Sequence, residues 1–143
     1  MWKRFHILLE VLNVKKSGVL HAELSKIIAA LGHTQSLVIA DYGLPVPKQV
    51  PVIDLAVRSG VPSFKDVLLT VLEELTVESA TVAAELEISN NGLFQELRHL
   101  FQCEVNAVSH AELKEELVNA AAVVRTGEHS PYANVILRAG VVF

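Results

Sequence analysis

Five polar residues could perform chemistry, and each lies beside a segment that the sequence predicts to be regular. They are two histidines, an aspartate, a tyrosine and an asparagine: His33, Asp41, His110, Tyr132 and Asn134. An imidazole can give or take a proton near neutral pH, and a carboxylate can accept one. Tyrosine and asparagine add hydrogen-bonding groups that suit a ligand with several hydroxyls. The set indicates a site for a small polar ligand.

Each of the five also has an interpretation without function. A histidine after a helix end is commonly a solvated loop residue, and Asp41 before a glycine and two prolines suits a turn. His110 at a helix start can be an ordinary surface residue. Tyr132 and Asn134 can satisfy backbone groups only. The residues by themselves therefore leave both interpretations open.

Several other kinds of site are excluded by missing motifs. The chain has no phosphate-binding loop, no dinucleotide fingerprint and no serine nucleophile elbow. Its six histidines show no metal-binding spacing with each other or with the single cysteine. We expect Cys103, which lies among apolar residues, to be an inert buried thiol. The sequence thus shows no motif for a nucleotide cofactor or a serine hydrolase and argues against a metal site.

Helices and strands alternate along the chain. Apolar residues at 24, 27, 28 and 31 predict a helix, which Gly32 can close in the left-handed conformation. Further helices should begin at the caps Ser63 and Ser109, the latter in a Ser-x-x-Glu capping box, and after a turn at 90–92. The segments 37–40, 52–57, 104–108, 120–124 and 132–139 suit strands, while 76–84 fits either type. This order predicts an α/β fold with a largely parallel sheet flanked by helices.

Composition limits the class of protein further. The chain has 143 residues, enough for one domain, and 51% of them are apolar. Its net charge of −4 argues against nucleic acid as a partner. No apolar run reaches the roughly 18 residues of a membrane span, and one cysteine suits a reducing compartment. We expect a cytoplasmic protein, and its mean hydropathy of +0.39 favours a homo-oligomer.

Five motifs in series resemble the ribose pyranase/fucose mutarotase family, from about residue 15 to the last. They are Leu31-Gly32-His33-Thr34, Asp41-x-Gly43-Leu44-Pro45-Val46-Pro47, Ile53-Asp54-Leu55-Ala56, Gly60-Val61-Pro62-Ser63-Phe64 and Arg125-Thr126-Gly127-Glu128-x-Ser130-Pro131-Tyr132-Ala133-Asn134. The resemblance implies a cofactor-free isomerase that interconverts the β-pyranose and β-furanose forms of D-ribose. It also implies a ring-like homo-oligomer, typically a decamer, and a link to ribose transport and to the ribokinase of ribose catabolism. It favours a strand at 76–83.

The resemblance also implies roles for particular residues. His33 matches the catalytic proton donor, and we expect it to protonate the ring oxygen of the sugar. Asp41 and His110 match substrate-binding positions; Asp41 would hold a sugar hydroxyl or orient His33. The last strand supplies a substrate-binding tripeptide, Tyr132-Ala133-Asn134. These assignments follow from position in the family motifs.

Two departures from the family pattern and three alternatives accompany these expectations. Tyr42 fills a position that is often small, and residues 1–13 have no family counterpart. We therefore expect an extra N-terminal segment at 1–13, with Val14 at the native start, followed by one domain at 14–143. The alternatives are a mutarotase for another sugar such as L-fucose, a non-catalytic sugar-binding subunit of a ribose transport system, and a purely structural assembly protein.

Overall fold

A computed structural model describes residues 14–143, and the expected extra segment at 1–13 lies outside this range. The helices are α1 (Ala22–Ala30), α2 (Phe64–Leu72), α3 (Ala84–Ser89), α4 (Asn91–Leu100) and α5 (His110–Glu116), the last continued by one 3₁₀ turn at Leu117–Asn119. The strands are β1 (Ser36–Ala40), β2 (Val52–Asp54), β3 (Val77–Ala83), β4 (Glu104–Val108), β5 (Ala122–Arg125) and β6 (Val135–Ala139). In the described part of the chain, no helix is both long and apolar enough to cross a membrane.

The six strands form one mixed sheet in the order β2-β5-β1-β6-β3-β4. Strands β1, β5 and β2 pair in parallel, as do β3 and β4, while β6 is antiparallel to both of its neighbours. Five strands therefore run in one direction and only β6 runs against them. The predicted α/β class and the flanking helices are confirmed, and the largely parallel sheet has one antiparallel exception.

The sheet has an apolar core on each face. The larger core packs α1, α2 and α4 against the sheet around fully buried residues such as Leu37, Phe64 and Leu137. The smaller core packs α5 over the opposite face, around Leu113 and Leu117. Strand β1 is buried at all five positions because it lies in the middle of the sheet and both faces are covered.

Local capping chemistry explains where most helices begin. The Ser63 and Ser109 hydroxyls accept hydrogen bonds from the backbone N–H groups of Asp66 and Glu112, both 3.1 Å long. Each bond satisfies one N–H that the first helical turn leaves free. The predicted turn at 90–92 is wrong, because the Asn90 side chain caps a helix that already begins at Asn91.

The predicted role of Gly32 is also wrong. Helix α1 ends with Leu31 in an extended conformation, and the left-handed backbone occurs three residues later, at Thr34, with φ of 73°. For a β-branched residue that conformation is a genuine outlier. The segment 76–84, which the sequence left open between strand and helix, forms strand β3 from Val77 to Ala83. Helix α3 begins at the next residue.

Candidate active site

A cleft of about 260 Å³ opens at the carboxyl edge of the parallel strands. It is small beside the ~300–1,000 Å³ that is usual for ligand pockets, which favours a ligand of monosaccharide size. Its walls come from the segments that follow β1 and β5 and from the start of α5: Asp41–Pro45, Glu128–Tyr132 and His110. Because β6 is antiparallel, its beginning lies at this same edge. The sheet therefore brings together Asp41, His110 and Tyr132, three of the residues that the family resemblance implied for the site.

Asp41 and Asn134 form a fixed pair beneath the cleft. The Asn134 amide is fully buried; its Oδ1 accepts from the Asp41 backbone N–H at 2.9 Å, and its Nδ2 donates to Asp41 Oδ2 at 3.2 Å. The Gly43 N–H donates to the other carboxylate oxygen at 3.0 Å. Partial burial raises the pKa of Asp41 and outweighs the opposing effect of these hydrogen bonds. The Asp41 carboxylate is therefore fixed in position and has a higher proton affinity than an exposed aspartate.

His110 and Tyr132 form the aromatic side of the cleft. Their rings meet edge to face with centroids 5.0 Å apart. The His110 backbone N–H donates to the Glu85 carboxylate of α3 at 2.9 Å, which fixes the start of α5. The ring nitrogen Nδ1 of His110 is buried without a hydrogen-bond partner among residues 14–143. Tyr132 has a left-handed backbone with φ of 62°, a strained conformation of the kind found at binding sites.

Ala133 is the one predicted site residue without a polar side chain. Its side chain is fully buried and packs in the larger core. Ala133 thus serves packing, and it does not line the cleft.

Glu128 ties the walls of the cleft to helix α2. Its carboxylate accepts from the Phe64 N–H at 3.0 Å and from the Ser130 hydroxyl at 2.8 Å, while its carbonyl accepts from the Tyr42 N–H at 3.1 Å. Burial acts to raise the pKa of Glu128, but the hydrogen bonds from Phe64 and Ser130 together hold it below its ordinary value. The sequence interpretation missed this residue, although a polar loop directly after a strand is a usable signal.

Tyr42 and Arg125 form the outer rim. The Arg125 guanidinium binds both oxygens of Asp54 at 3.1 Å and donates through Nε to the Tyr42 carbonyl at 3.1 Å. It also lies 6.0 Å from the centroid of the Tyr42 ring. Tyr42 remains 41% exposed, so its ring flanks the cleft entrance. Arg125 was not predicted as a site residue.

His33 lies at the opposite edge of the sheet. It precedes β1 whereas Asp41 follows it, and a five-residue strand is about 16 Å long. Its Nε2 is 2.8 Å from Glu78 Oε1 at the start of β3, and half of its side chain is exposed. Within one chain, His33 does not line the cleft. We expected Asp41 as one possible group to orient His33, but the carboxylate that contacts its ring is that of Glu78.

This fold belongs to a known class of proteins. Residues 14–142 match the model of the RbsD / FucU transport protein family, and the chain belongs to that family. A solved structure of Bacillus subtilis RbsD complexed with D-ribose superimposes with a TM-score of 0.88. It is 48% identical, and the alignment covers 91% of this chain and 100% of that one.

The similar curated proteins are D-ribose pyranases. The protein of that name from Symbiobacterium thermophilum is 53% identical over 131 residues, and that from Bacillus cytotoxicus is 50% identical over 131 residues. Each alignment covers 91% of this chain and the full length of the relative. A fucose mutarotase from Streptococcus pneumoniae shares the fold with a TM-score of 0.71 at 24% identity.

Proposed function

We propose that this chain is a D-ribose pyranase, an isomerase that interconverts β-D-ribopyranose and β-D-ribofuranose. The observation that supports this most directly is the match to proteins of that name along their entire length, at about half of all positions. The cleft is consistent with it, because a carboxylate, an imidazole and a phenol surround a space of monosaccharide size. A match at this level favours ribose over L-fucose, since the fucose mutarotase is only 24% identical.

The reaction opens one hemiacetal ring and closes another. A proton reaches the ring oxygen as its bond to the anomeric carbon breaks, and the anomeric hydroxyl loses its proton, which leaves the free aldehyde. The hydroxyl on carbon 4 then adds to the aldehyde carbon in place of that on carbon 5. In this closing step, the hydroxyl on carbon 4 loses its proton and the aldehyde oxygen gains one, which restores an anomeric hydroxyl. General acid–base catalysis of such steps contributes about 10²–10⁴-fold.

We assign the proton transfers to His33 and Asp41. His33 in its protonated form delivers the proton to the ring oxygen and recovers one from the hydroxyl that closes the new ring. Asp41 takes the proton of the anomeric hydroxyl, a role that suits a carboxylate whose pKa is raised by burial. His110 and Tyr132 bind the remaining hydroxyls beside it, and Asn134 holds Asp41 in position.

His33 and Asp41 reach one sugar only if two copies share each site. The two residues lie at opposite edges of the sheet, so the imidazole of one copy must face the cleft of another. We therefore propose a homo-oligomer, with the ring-like decamer implied by the family resemblance as its form. Exposed apolar residues such as Val57, Ile88 and Val118 supply surface that such an assembly can bury.

The proposed setting follows from the chemistry. Free D-ribose is the substrate, no cofactor takes part, and the furanose product suits a kinase that phosphorylates that ring form. We place the protein in the cytoplasm, between ribose uptake and a ribokinase. Neither link requires a physical complex with this chain.

Magnetisation-transfer NMR on equilibrated D-ribose tests the activity. We expect the protein to accelerate exchange between the β-pyranose and β-furanose signals, and His33→Ala to lower that rate by about 10²-fold or more. L-fucose in a parallel sample checks the sugar preference. Ribose line broadening without faster exchange would replace the isomerase with a binding protein.

Mixing two inactive variants tests the shared site. His33→Ala and Asp41→Ala are refolded or co-expressed together in equal amounts. In a ring, about a quarter of the sites should then combine an intact cleft with an intact imidazole and regain activity. Separately prepared variants mixed without subunit exchange serve as the control. Absence of any regain after proven exchange would contradict a site formed by two copies.

A further inference from the structure

A carboxylate–imidazole pair lies at the amino edge of β1, away from the cleft. Nε2 of His33 and Oε1 of Glu78 are 2.8 Å apart, and both side chains are partly exposed. An ionised carboxylate has only acceptors, so the proton of this hydrogen bond resides on Nε2. In the neutral imidazole the hydrogen is then on Nε2, and Nδ1 carries the free lone pair.

The loop that carries His33 is held by hydrogen bonds to the end of strand β6. The Thr34 N–H donates to the Ala139 carbonyl at 2.9 Å, and Arg138 Nη1 donates to the Thr34 carbonyl at 3.1 Å. The neighbouring backbone is held in the left-handed conformation at Thr34, with φ of 73°, which is strained for a non-glycine residue. A solvent-exposed loop held in a strained form by hydrogen bonds to the end of strand β6 is preorganised around its imidazole.

Gly140, directly after strand β6, allows Glu78 to approach closely. A Cβ added at Gly140 would lie 3.1 Å from the Glu78 Cβ and 3.4 Å from its backbone nitrogen. The close approach of these two backbones sets Glu78 beside the end of β6, which also holds Thr34. The carboxylate and the loop that it contacts are therefore positioned by the same strand end.

We propose that Glu78 is a positioning residue for the reaction: it binds His33 through Nε2 and leaves Nδ1 as the nitrogen that exchanges protons with the sugar. The proposal rests on the proposed role of His33 as the acid. In the protonated imidazole, the Nε2 hydrogen stays with Glu78 while the Nδ1 proton passes to the ring oxygen. The same Nδ1 recovers a proton when the hydroxyl on carbon 4 closes the furanose ring.

The test combines exchange kinetics with nitrogen NMR of the imidazole. In Glu78→Ala we expect kcat to fall about 10- to 100-fold with KM nearly unchanged, because an unoriented imidazole is misplaced while the cleft is intact. Glu78→Gln keeps an oxygen acceptor for Nε2–H and should recover most of kcat. Glu104→Ala removes another exposed strand carboxylate, on β4, and should behave as wild type.

Nitrogen-15 spectra of labelled histidine report the tautomer without reference to activity. The His33 signals, identified by their loss in His33→Ala, should show a protonated Nε2 and a bare Nδ1 in wild type, and a mixture of tautomers in Glu78→Ala. A bare Nε2 in wild type, or an unchanged tautomer in Glu78→Ala, would overturn the proposal even if kcat falls. If the wild type and Glu78→Ala show the expected tautomers but His33→Ala keeps full activity, the catalytic role of His33 is refuted instead.

Discussion

Asn134 makes two hydrogen bonds to Asp41, one to its backbone and one to its side chain. Replacing it by alanine leaves a partly buried N–H and a carboxylate oxygen without these partners. Asn134→Ala should therefore lower the free energy of unfolding by about 1–3 kcal/mol, the cost of an unsatisfied buried group. Ribose affinity should fall about tenfold, since the carboxylate loses its orientation.

Urea titration and ribose titration calorimetry measure these two effects. Asn106→Ala serves as the matched control, because Asn106 is exposed on β4 and should change stability by less than about 0.5 kcal/mol. An Asn134→Ala protein with wild-type stability would show that the pair does not hold the cleft.

Glu128 makes the stability of the cleft depend on pH. Its folded-state pKa lies below the ordinary 4.5, so the stabilisation is fully present above that pH and is lost as the pH falls through the lower folded value. The stability difference between wild type and Glu128→Gln should thus be largest near neutral pH and shrink below about pH 4.5. Urea midpoints over this range provide the measurement.

Ser130 supplies the control for this pH dependence. Ser130→Ala removes one of the donors to Glu128 and should give a smaller difference with the same direction. A difference between wild type and Glu128→Gln that stays constant with pH would show that the carboxylate charge has no part in holding the loop.

Gly127 is required because two loops meet there. A Cβ at this position would lie 2.6 Å from the Arg58 carbonyl oxygen and still closer to that of Val61. Both neighbours are backbone atoms, which cannot rotate away. Gly127→Ala should cost about 1–3 kcal/mol of unfolding free energy and displace the adjacent Glu128 from α2.

Gly92 gives a matched comparison for that substitution. It lies inside α4, where an added Cβ would have only an ordinary contact at 3.7 Å. Gly92→Ala should stabilise the protein by about 0.5–1 kcal/mol through higher helix propensity. Thermal unfolding of the two variants side by side should shift in opposite directions, and a destabilised Gly92→Ala would contradict this account of α4.

The elements that sequence predicts well are those with a local cause. Side-chain caps at Ser63 and Ser109 lie within three residues of the N–H groups that they bind, so spacing alone reveals them. The direction of β6 and the left-handed Thr34 depend on strands that are distant in sequence. Those features follow from pairing across the sheet, which no local pattern encodes.

The sheet separates His33 from the other site residues, although the family motifs imply one site for all of them. Asp41 and His110 converge because carboxyl ends of parallel strands share an edge, a rule that sequence reasoning can apply. Tyr132 joins them only because β6 is antiparallel, so that its beginning lies at the same edge. His33 precedes β1, the strand that Asp41 follows, and therefore lies at the other edge of the sheet. The chain order contains this information, but the proposal of a shared site arises only when the length of β1 is compared with the size of the cleft.

The proposed site formed by two copies would couple ribose binding to assembly. If ribose contacts both copies, it binds the assembled state more tightly and must favour assembly in return. Saturating ribose, about 100 times its dissociation constant, should stabilise each shared site by about 2.7 kcal/mol and shift the assembly midpoint to lower protein concentration. Mass photometry across a dilution series, with and without ribose, measures that shift. His33→Ala should bind ribose through the cleft yet show a smaller shift, and a ribose-independent midpoint in wild type would place the complete site within one chain.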